Sequence, residues 1–350
     1  HFTTESLFMK KVFIYLLGVS VLLAACDRKS DLNIDGMKTD DRVAAALKAL
    51  QDKLVSAPYG WVLVEYTTGL AINQGAIETG PKASFAYYMK FDDQNKVSMI
   101  SDFDSSMAAT FQSSSYQIKA IQRPSLIFDT YSYIHVPCDP DPAKSNSPFG
   151  PGLGWGADFE FSFADNVGAA QIGDTIQLEG NLNHTKALLV KATQAEQTAY
   201  TTNGFKQGMA ISNILNYFKR VSGASSFEIT PGVGGRSFDI RYGTNPAPVN
   251  VGYHATANSI VLDTVLEIGG QTINSIDNPV WNDANKTITA TINGAAVTIK
   301  GATSPLVPDP DIAGSFYDEG FNNPWLSETG FHVDGVDDAY DMKSLKVGPS

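Results

Sequence analysis

The sequence predicts a mainly β protein with two or more helices, built from antiparallel sheets arranged as a meander, a sandwich or a barrel. Apolar and polar residues alternate with a period of two through many short segments, which is the pattern of half-buried strands. Turn residues separate these segments, and no helical pattern lies between successive strands, which disfavours a parallel sheet. With 43% apolar residues, a chain of 350 residues can bury a substantial core.

An amphipathic helix opens the predicted fold. Asp40 or Asp41 can cap this helix, and Pro58 ends it. Its apolar residues recur with helical spacing at Val43, Leu47, Leu50 and Leu54. From Trp61 onward the period changes to two, and strands are predicted at residues 85–91, 116–119, 159–163, 176–178 and 187–190.

A second helix is predicted between residues 204 and 221, before a second set of strands. Its apolar face comprises Ile211, Ile214, Leu215, Phe218 and Val221, and Ser222-Gly223 supplies the stop. Alternating segments then return at residues 227–229, 237–242, 249–253, 286–292 and 295–300. A helix followed by strands therefore occurs twice, but no residue-level repeat accompanies it, and two β-rich domains are the simpler interpretation.

These patterns divide the chain into five parts. Residues 1–25 are upstream residues and a signal peptide, 26–40 a tether, 41–200 an N-terminal β-rich domain with its opening helix, 201–304 a second β-rich domain with its opening helix, and 305–350 a linker with an acidic, aromatic C-terminal segment. No helix or strand is predicted at the end of the last part, so a truncation of the C-terminus stays open as an interpretation.

The amino terminus carries an export signal. Met9 is the expected start, Lys10 and Lys11 form a basic region, and about twelve mostly apolar residues extend to Leu23. This run is shorter than the roughly twenty residues of a membrane-spanning helix. Small residues then precede Cys26, as in the lipobox of bacterial lipoproteins. We therefore expect Cys26 to be acylated and to anchor the mature protein in a lipid bilayer.

Charge and cysteine content exclude several classes of protein. Lys and Arg total 25 against 37 Asp and Glu, a net charge of −12, so no basic surface is available for nucleic acid. The chain has two cysteines. With Cys26 acylated, Cys138 has no partner for an intrachain disulfide, and a disulfide-rich scaffold is excluded.

A loop rich in proline and glycine, residues 137–158, is the predicted ligand site, because loops of this length are usually functional or disordered. Aromatic side chains before and within it would form a platform for a sugar ring or another flat ligand. A plain surface loop is the alternative interpretation. The predicted ligand-binding residues are Tyr131, Tyr133, His135, Phe149 and Trp155.

No catalytic residue, metal site or cofactor is predicted from a motif. Three acid pairs have the spacing with which calcium loops begin, but none has a glutamate at the twelfth position, so we interpret them as solvated turn acids. The histidines lack zinc-binding spacing, and Gly-x-Ser-x-Gly is absent, although Ser, His and Asp side chains can converge in any β fold. Calcium and haem stay open as ligands, haem with His135 and Met89. The acid pairs are Asp102 and Asp104, Asp139 and Asp141, and Asp309 and Asp311.

Five segments carry a resemblance to a known family: PYGW at 58–61, YMKFD at 88–92, SYQIK at 115–119, FDTY at 128–131 and DFEF at 158–161. In these segments the chain resembles the Bacteroidota lipoproteins grouped as domain of unknown function 4302. The family has no assigned catalytic or binding residues. The resemblance implies a lipid-anchored protein on the surface or periplasmic face of the outer membrane. It also implies nutrient-uptake loci with a TonB-dependent receptor and its starch-utilisation-type lipoprotein partner.

The expected function is therefore that of a non-enzymatic nutrient-binding or accessory component of a TonB-dependent uptake system. Its expected partners are the bilayer, through acylated Cys26, and the receptor with its lipoprotein partner. Two alternatives stay open: a hydrolase that acts on glycans or peptides, and a purely structural subunit of the receptor assembly.

Overall fold

The computed structural model describes residues 38–73, 76–79, 82–163, 173–223, 226–232, 235–311, 314, 325–326 and 344–345. Residues 1–46 and 47–350 form two separate units. In the first unit, the described residues 38–46 contain the beginning of a helix. The predicted signal peptide, Cys26 and most of the tether lie outside the described residues.

The second unit is mainly β and contains two closed antiparallel barrels of eight strands each. The predicted fold class is therefore confirmed, in its barrel form. Eight strands enclose an interior that side chains fill. The barrels occupy residues 61–191 and 218–302 of one unit, and the domain boundaries at residues 200 and 304 stay a prediction.

The first barrel is formed by β1 (Trp61–Tyr66), β4 (Ser84–Phe91), β5 (Lys96–Ser101), β6 (Gln112–Ala120), β7 (Pro124–Phe128), β8 (Glu160–Phe163), β9 (Thr175–Gly180) and β10 (Lys186–Lys191). Around the barrel the order is β1, β10, β9, β8, β7, β6, β5, β4, and β4 pairs with β1 to close it. A hairpin of β2 (Leu70–Asn73) and β3 (Ala76–Thr79) lies between β1 and β4 in the chain.

The second barrel follows chain order and closes by pairing its last strand with its first. Its strands are β11 (Phe218–Ser222), β12 (Phe227–Pro231), β13 (Ser237–Tyr242), β14 (Val249–Ala255), β15 (Ser259–Ile268), β16 (Gln271–Asn282), β17 (Thr287–Ile292) and β18 (Ala295–Ala302). A short pair, β19 (Trp325–Leu326) with β20 (Ser344–Leu345), occurs near the C-terminal end.

Three α-helices are described: α1 (Thr39–Val55), α2 (Pro142–Ser145) and α3 (Gln194–Asn203), with 3₁₀ turns at Tyr133–Cys138 and Ala210–Asn213. The predicted opening helix matches α1, whose Leu50 and Leu54 are buried while Val43 is exposed. Among the described helices, none has the length and apolar character needed to cross a membrane.

The predicted helix over residues 204–221 is wrong. The helix of this region is α3, which starts ten residues earlier at a capping box between Thr193 and Glu196. It stops at Gly204, which has φ +60°, and a side chain there would collide with the carbonyl of Ala108. Further on, Val221 lies on β11 with an inward side chain. The prediction failed because its apolar residues belong to two different elements, a 3₁₀ turn and a strand, whose combined spacing happens to match that of a helix.

The long hairpin β15–β16 was not predicted. Ile260 and Leu262 are buried in the second barrel, but Val261 and Val265 are apolar residues on its outward face. A bulge also shifts the register between Val261 and Leu266. Apolar residues on both faces therefore hide the period of two.

Strand β4 is buried on both faces, unlike the half-buried strand that was predicted. Phe85 and Tyr87 fill the first barrel. On the other face, Tyr88 stacks on Tyr200 of α3 with ring centroids 4.8 Å apart, and Phe205 packs beside them. The connection between the barrels therefore covers this part of the outer surface of the first barrel.

A buried ion pair joins the two barrels. Asp102 Oδ1 accepts hydrogen bonds from Arg236 Nη2 and from Ala86 N, both at 2.9 Å, and Oδ2 accepts one from Ala255 N at 2.8 Å. The Arg236 guanidinium lies over the Phe85 ring at 4.5 Å. The prediction that Asp102 is a solvated turn acid is therefore wrong, because the second barrel covers it.

Replacing Arg236 with Met should lower the free energy of unfolding by about 3–5 kcal/mol, because Asp102 would remain as a buried charge without its partner. Urea unfolding of the purified protein measures this loss. Lys286→Met is the control, since Lys286 pairs with Asp283 in solvent and should contribute less than about 1 kcal/mol. Equal effects of the two substitutions would contradict the importance of the buried pair.

Candidate functional site

A cavity of about 570 Å³ opens between the end of the 137–158 loop and the turn that joins β9 to β10. We call it the loop cavity. Its volume lies within the roughly 300–1,000 Å³ of small-molecule sites. It combines apolar side chains with two asparagine amides and one open carboxylate. Its lining residues are Cys138, Gly152, Leu153, Gly156, Ala157, Asp158, Phe159, Glu160, Asn181, Leu182 and Asn183.

Asp158 connects the two walls of the loop cavity. Its Oδ1 accepts hydrogen bonds from Leu182 N at 2.9 Å and Asn183 N at 3.0 Å, and its Oδ2 accepts one from Thr185 Oγ1 at 2.9 Å. A side chain at Gly180 would collide with this carboxylate, so glycine is required there. The β9–β10 turn is therefore held in one position against the loop.

Glu65 lies behind this wall, inside the first barrel. Its Oε1 accepts a hydrogen bond from Asp158 N at 2.6 Å. Among the described residues, its Oε2 and the hydroxyl of Tyr87 have no hydrogen-bond partner. Burial raises the pKa of Glu65 to about 8. Burial and the nearby Glu65 also raise the pKa of the Cys138 thiol, so Cys138 is protonated and a poor nucleophile at neutral pH.

An aromatic row leads away from the loop cavity. Phe159 lines the cavity and packs against the core of the first barrel. Its ring lies 4.5 Å from the His135 ring, which in turn stacks on Tyr131 at 5.5 Å. Burial lowers the pKa of His135, so its imidazole is neutral at pH 7. The Tyr131 hydroxyl donates to Asp139 Oδ2 at 2.5 Å and lowers the pKa of that carboxyl. The row has an exposed end, because Tyr131 is half exposed.

The structure does not bring the five predicted ligand-binding residues to one surface. Tyr131 and His135 belong to the aromatic row. Trp155 is buried in the core of the first barrel, where its Nε1 donates to Ser145 O at 2.8 Å and Phe149 packs on its ring. Tyr133 is partly buried against the same core. Trp155 thus belongs to the core of the first barrel, Phe149 is partly buried against that core as Tyr133 is, and ligand binding by the predicted residues stays a prediction.

Of the two haem ligands left open by the sequence, His135 is hydrogen-bonded through both ring nitrogens and Met89 is buried. His135 Nδ1 accepts from Ser132 N at 3.1 Å, and Nε2 lies 3.1 Å from Phe128 O, to which it donates in the matching tautomer. Met89 is fully buried in the first barrel. Iron binding by His135 would require one of these backbone hydrogen bonds to break. No group of three or more His, Cys, Asp or Glu side chains suited to a metal occurs in the described part of the chain.

Ser, His and Asp side chains do converge where the two barrels meet. Ser84 Oγ donates to Asp263 Oδ2 at 2.7 Å, and His254 Nδ1 lies 3.0 Å from Asp263 Oδ1. Asp263 therefore stands between the serine and the histidine. A nucleophilic triad instead needs the histidine between the other two, so this cluster does not activate Ser84.

A second cavity, of about 330 Å³, adjoins the loop cavity. We call it the strand cavity, because it lies over the outer face of β8 and β9 and the β6–β7 turn. Glu160 and Asn181 line both cavities. Gln122, Arg123 and His184 contribute polar groups to the strand cavity.

Glu65 and Asp158 were not among the predicted site residues. A signal for Glu65 is present, since it follows Trp61 and Leu63 at the inward positions of β1 and is an acid on an otherwise apolar face. Asp158 has no comparable signal, because its partners lie in a turn more than twenty residues away.

The buried Glu65 should make stability depend on pH. The pKa of Glu65 in the folded protein is about 8, above the ordinary value near 4.5. Its contribution to the free energy of unfolding is therefore fully present below about pH 4.5 and is lost as the pH rises through about 8. Between these values the wild type should lose up to about 1.4 kcal/mol per pH unit relative to Glu65→Gln.

Chemical unfolding at a series of pH values from 4 to 9 measures this difference. Glu267→Gln, at an exposed carboxylate of the second barrel, is the control and should follow the wild type. If the free energy of unfolding varies with pH in the same way for the wild type and for Glu65→Gln, the raised pKa of Glu65 is contradicted.

Comparisons with known proteins place the chain in a family and give no activity. No curated protein matches the sequence. A crystal structure of a domain from Vibrio parahaemolyticus, provisionally assigned to outer membrane lipoprotein sorting, is 7% identical over 78% of this chain and 98% of that chain, with a TM-score of 0.13. The model of the family described as Domain of unknown function (DUF4302) matches residues 36–282, more than half of the chain, and the protein therefore belongs to that family.

Proposed function

We propose that this protein is an outer-membrane lipoprotein that binds a carbohydrate in the loop cavity, as a non-enzymatic component of a TonB-dependent nutrient-uptake system. The observation that carries the proposal is the loop cavity itself, which is open to solvent, fixed by Asp158 and lined by both apolar and amide side chains.

The groups in the loop cavity suit a sugar ring. Phe159, Leu153 and Leu182 provide apolar surface for the C–H face of a ring. Asn183 Nδ2 donates to Ala157 O at 2.7 Å, which fixes the amide and leaves its Oδ1 free among the described residues to accept from a hydroxyl. The same combination of apolar contact and few polar groups is typical of small-molecule sites.

The carboxylates favour binding over hydrolysis. Most glycosidases use two carboxyl groups that flank the bond they cleave. In the loop cavity, Asp158 is engaged by the β9–β10 turn, and Glu160 is left as the open carboxylate among the described lining residues. One open carboxylate supplies a hydrogen-bond acceptor for hydroxyls but not an acid and base pair.

The sequence supports the location and the partners. The basic and apolar run before Cys26 has the order of a lipoprotein signal, and several acyl chains anchor a folded domain stably. The family resemblance supports a role beside a TonB-dependent receptor and its lipoprotein partner.

Replacing Leu182 with Ala should weaken carbohydrate binding about tenfold or more, because a side chain that is 78% exposed would lose its contact with the ligand. Stability should not change, since the side chain packs on little in the free protein. Titration of glycans found on an array of mono- and oligosaccharides measures the effect. Leu215→Ala, at another exposed leucine, is the matched control. If Leu182→Ala and Leu215→Ala bind with equal affinity, the ligand site lies elsewhere. If the wild type binds no glycan on the array, the proposal that the ligand is a carbohydrate is refuted.

Replacing Cys26 with Ala should release the protein from the membrane, because the thiol that carries the acyl chains is lost. Metabolic labelling with a radioactive fatty acid and membrane fractionation measure this. The wild type should be labelled and found in the outer-membrane fraction, and the variant should be unlabelled. Labelling of the variant would contradict acylation at Cys26.

A further inference from the structure

The loop cavity and the strand cavity are neighbours, because Glu160 and Asn181 line both of them. Each has a volume in the range of a small-molecule site, about 570 Å³ and about 330 Å³. A ligand that occupies both cavities therefore has to pass these two shared side chains.

The strand cavity offers hydrogen-bonding groups that no other described side chain engages. Within the described residues, the guanidinium of Arg123 and the amide of Gln122 form no side-chain hydrogen bond, although both line the cavity. Arg123 is exposed, and its planar group has five N–H donors. The nearby Glu179 pairs with Lys186 at 3.2 Å, and the charge of Arg123 acts on Glu179 only from beyond contact distance.

Glu160 provides an acceptor at the junction of the two cavities. Its side chain is half buried on the outward face of β8, and it has no hydrogen-bond or ion-pair partner among the residues described. An acceptor at the junction and donors beyond it suit a chain of hydroxyl-bearing units. An acyl chain would leave these polar groups without partners.

We propose that the ligand is an oligosaccharide that occupies both cavities. One sugar packs on Phe159 and Leu182 in the loop cavity, the chain passes Glu160, and the following units accept hydrogen bonds from Arg123 in the strand cavity. This inference rests on the proposed carbohydrate binding and adds the length of the ligand and the residue that recognises its extension.

The test compares affinities for mono-, di-, tri- and hexasaccharides of one sugar, chosen from the array described above. The wild type should bind the hexasaccharide at least about tenfold more tightly than the monosaccharide. Arg123→Ala should lose this gain and bind the monosaccharide within about twofold of the wild type. Leu182→Ala should weaken binding at every length. Arg42→Ala, at an exposed arginine of α1, is the matched control and should behave as the wild type.

The outcomes separate the two proposals. The extended site would be overturned if the wild type bound short and long glycans with equal affinity. It would also be overturned if the affinity of Arg123→Ala increased with glycan length as much as that of the wild type. Carbohydrate binding in the loop cavity would stand in both cases. The absence of binding to any glycan would overturn both. Circular dichroism and the unfolding midpoint of Arg123→Ala show whether the variant is folded, and its retained monosaccharide affinity shows that the loop cavity is intact.

Discussion

The carboxylate of Asp158 holds the candidate site together. It accepts hydrogen bonds from the backbone N–H groups of Leu182 and Asn183. The backbone N–H of Asp158 in turn donates to Glu65, which lies inside the barrel. Each of these groups is costly to leave unsatisfied, so the loop, the β9–β10 turn and the barrel wall are fixed relative to one another. A ligand therefore meets a rim that is already ordered, and binding costs little conformational entropy. The exposed position of Leu182 at this rim follows from the same hydrogen bonds.

The closed barrels explain why a site would lie on the connections. Closure pairs every barrel strand on both sides, so no strand edge of either barrel is left to receive another chain. The first barrel is filled by large side chains, Trp61 and Trp155 among them. The pair Asp102 and Arg236 then joins the barrels at a buried interface. The loop cavity and the strand cavity both lie on outer strand faces and connecting turns.

The pattern of residues predicted the fold class better than the site. Strict alternation identified strands such as β4 and β9, since inward residues are apolar wherever a barrel must be filled. It failed where exposed outward apolar residues and a bulge broke the alternation, as in β15. The 137–158 loop does border the loop cavity, but composition could not show that Trp155 points into the barrel and not toward solvent. Hydrogen bonds between distant residues, such as Asp158 with Asn183, leave no local pattern, which is why these residues were not foreseen.

Hydrogen exchange with and without a glycan bound by the wild type tests most directly whether the two cavities form the ligand site. Mass spectrometry of peptides locates the amides that become protected. The account predicts slower exchange in residues 156–160, 181–185 and 121–125, and unchanged exchange in β11–β18 of the second barrel. Protection confined to the second barrel, or no protection around the two cavities at saturating glycan, would contradict it.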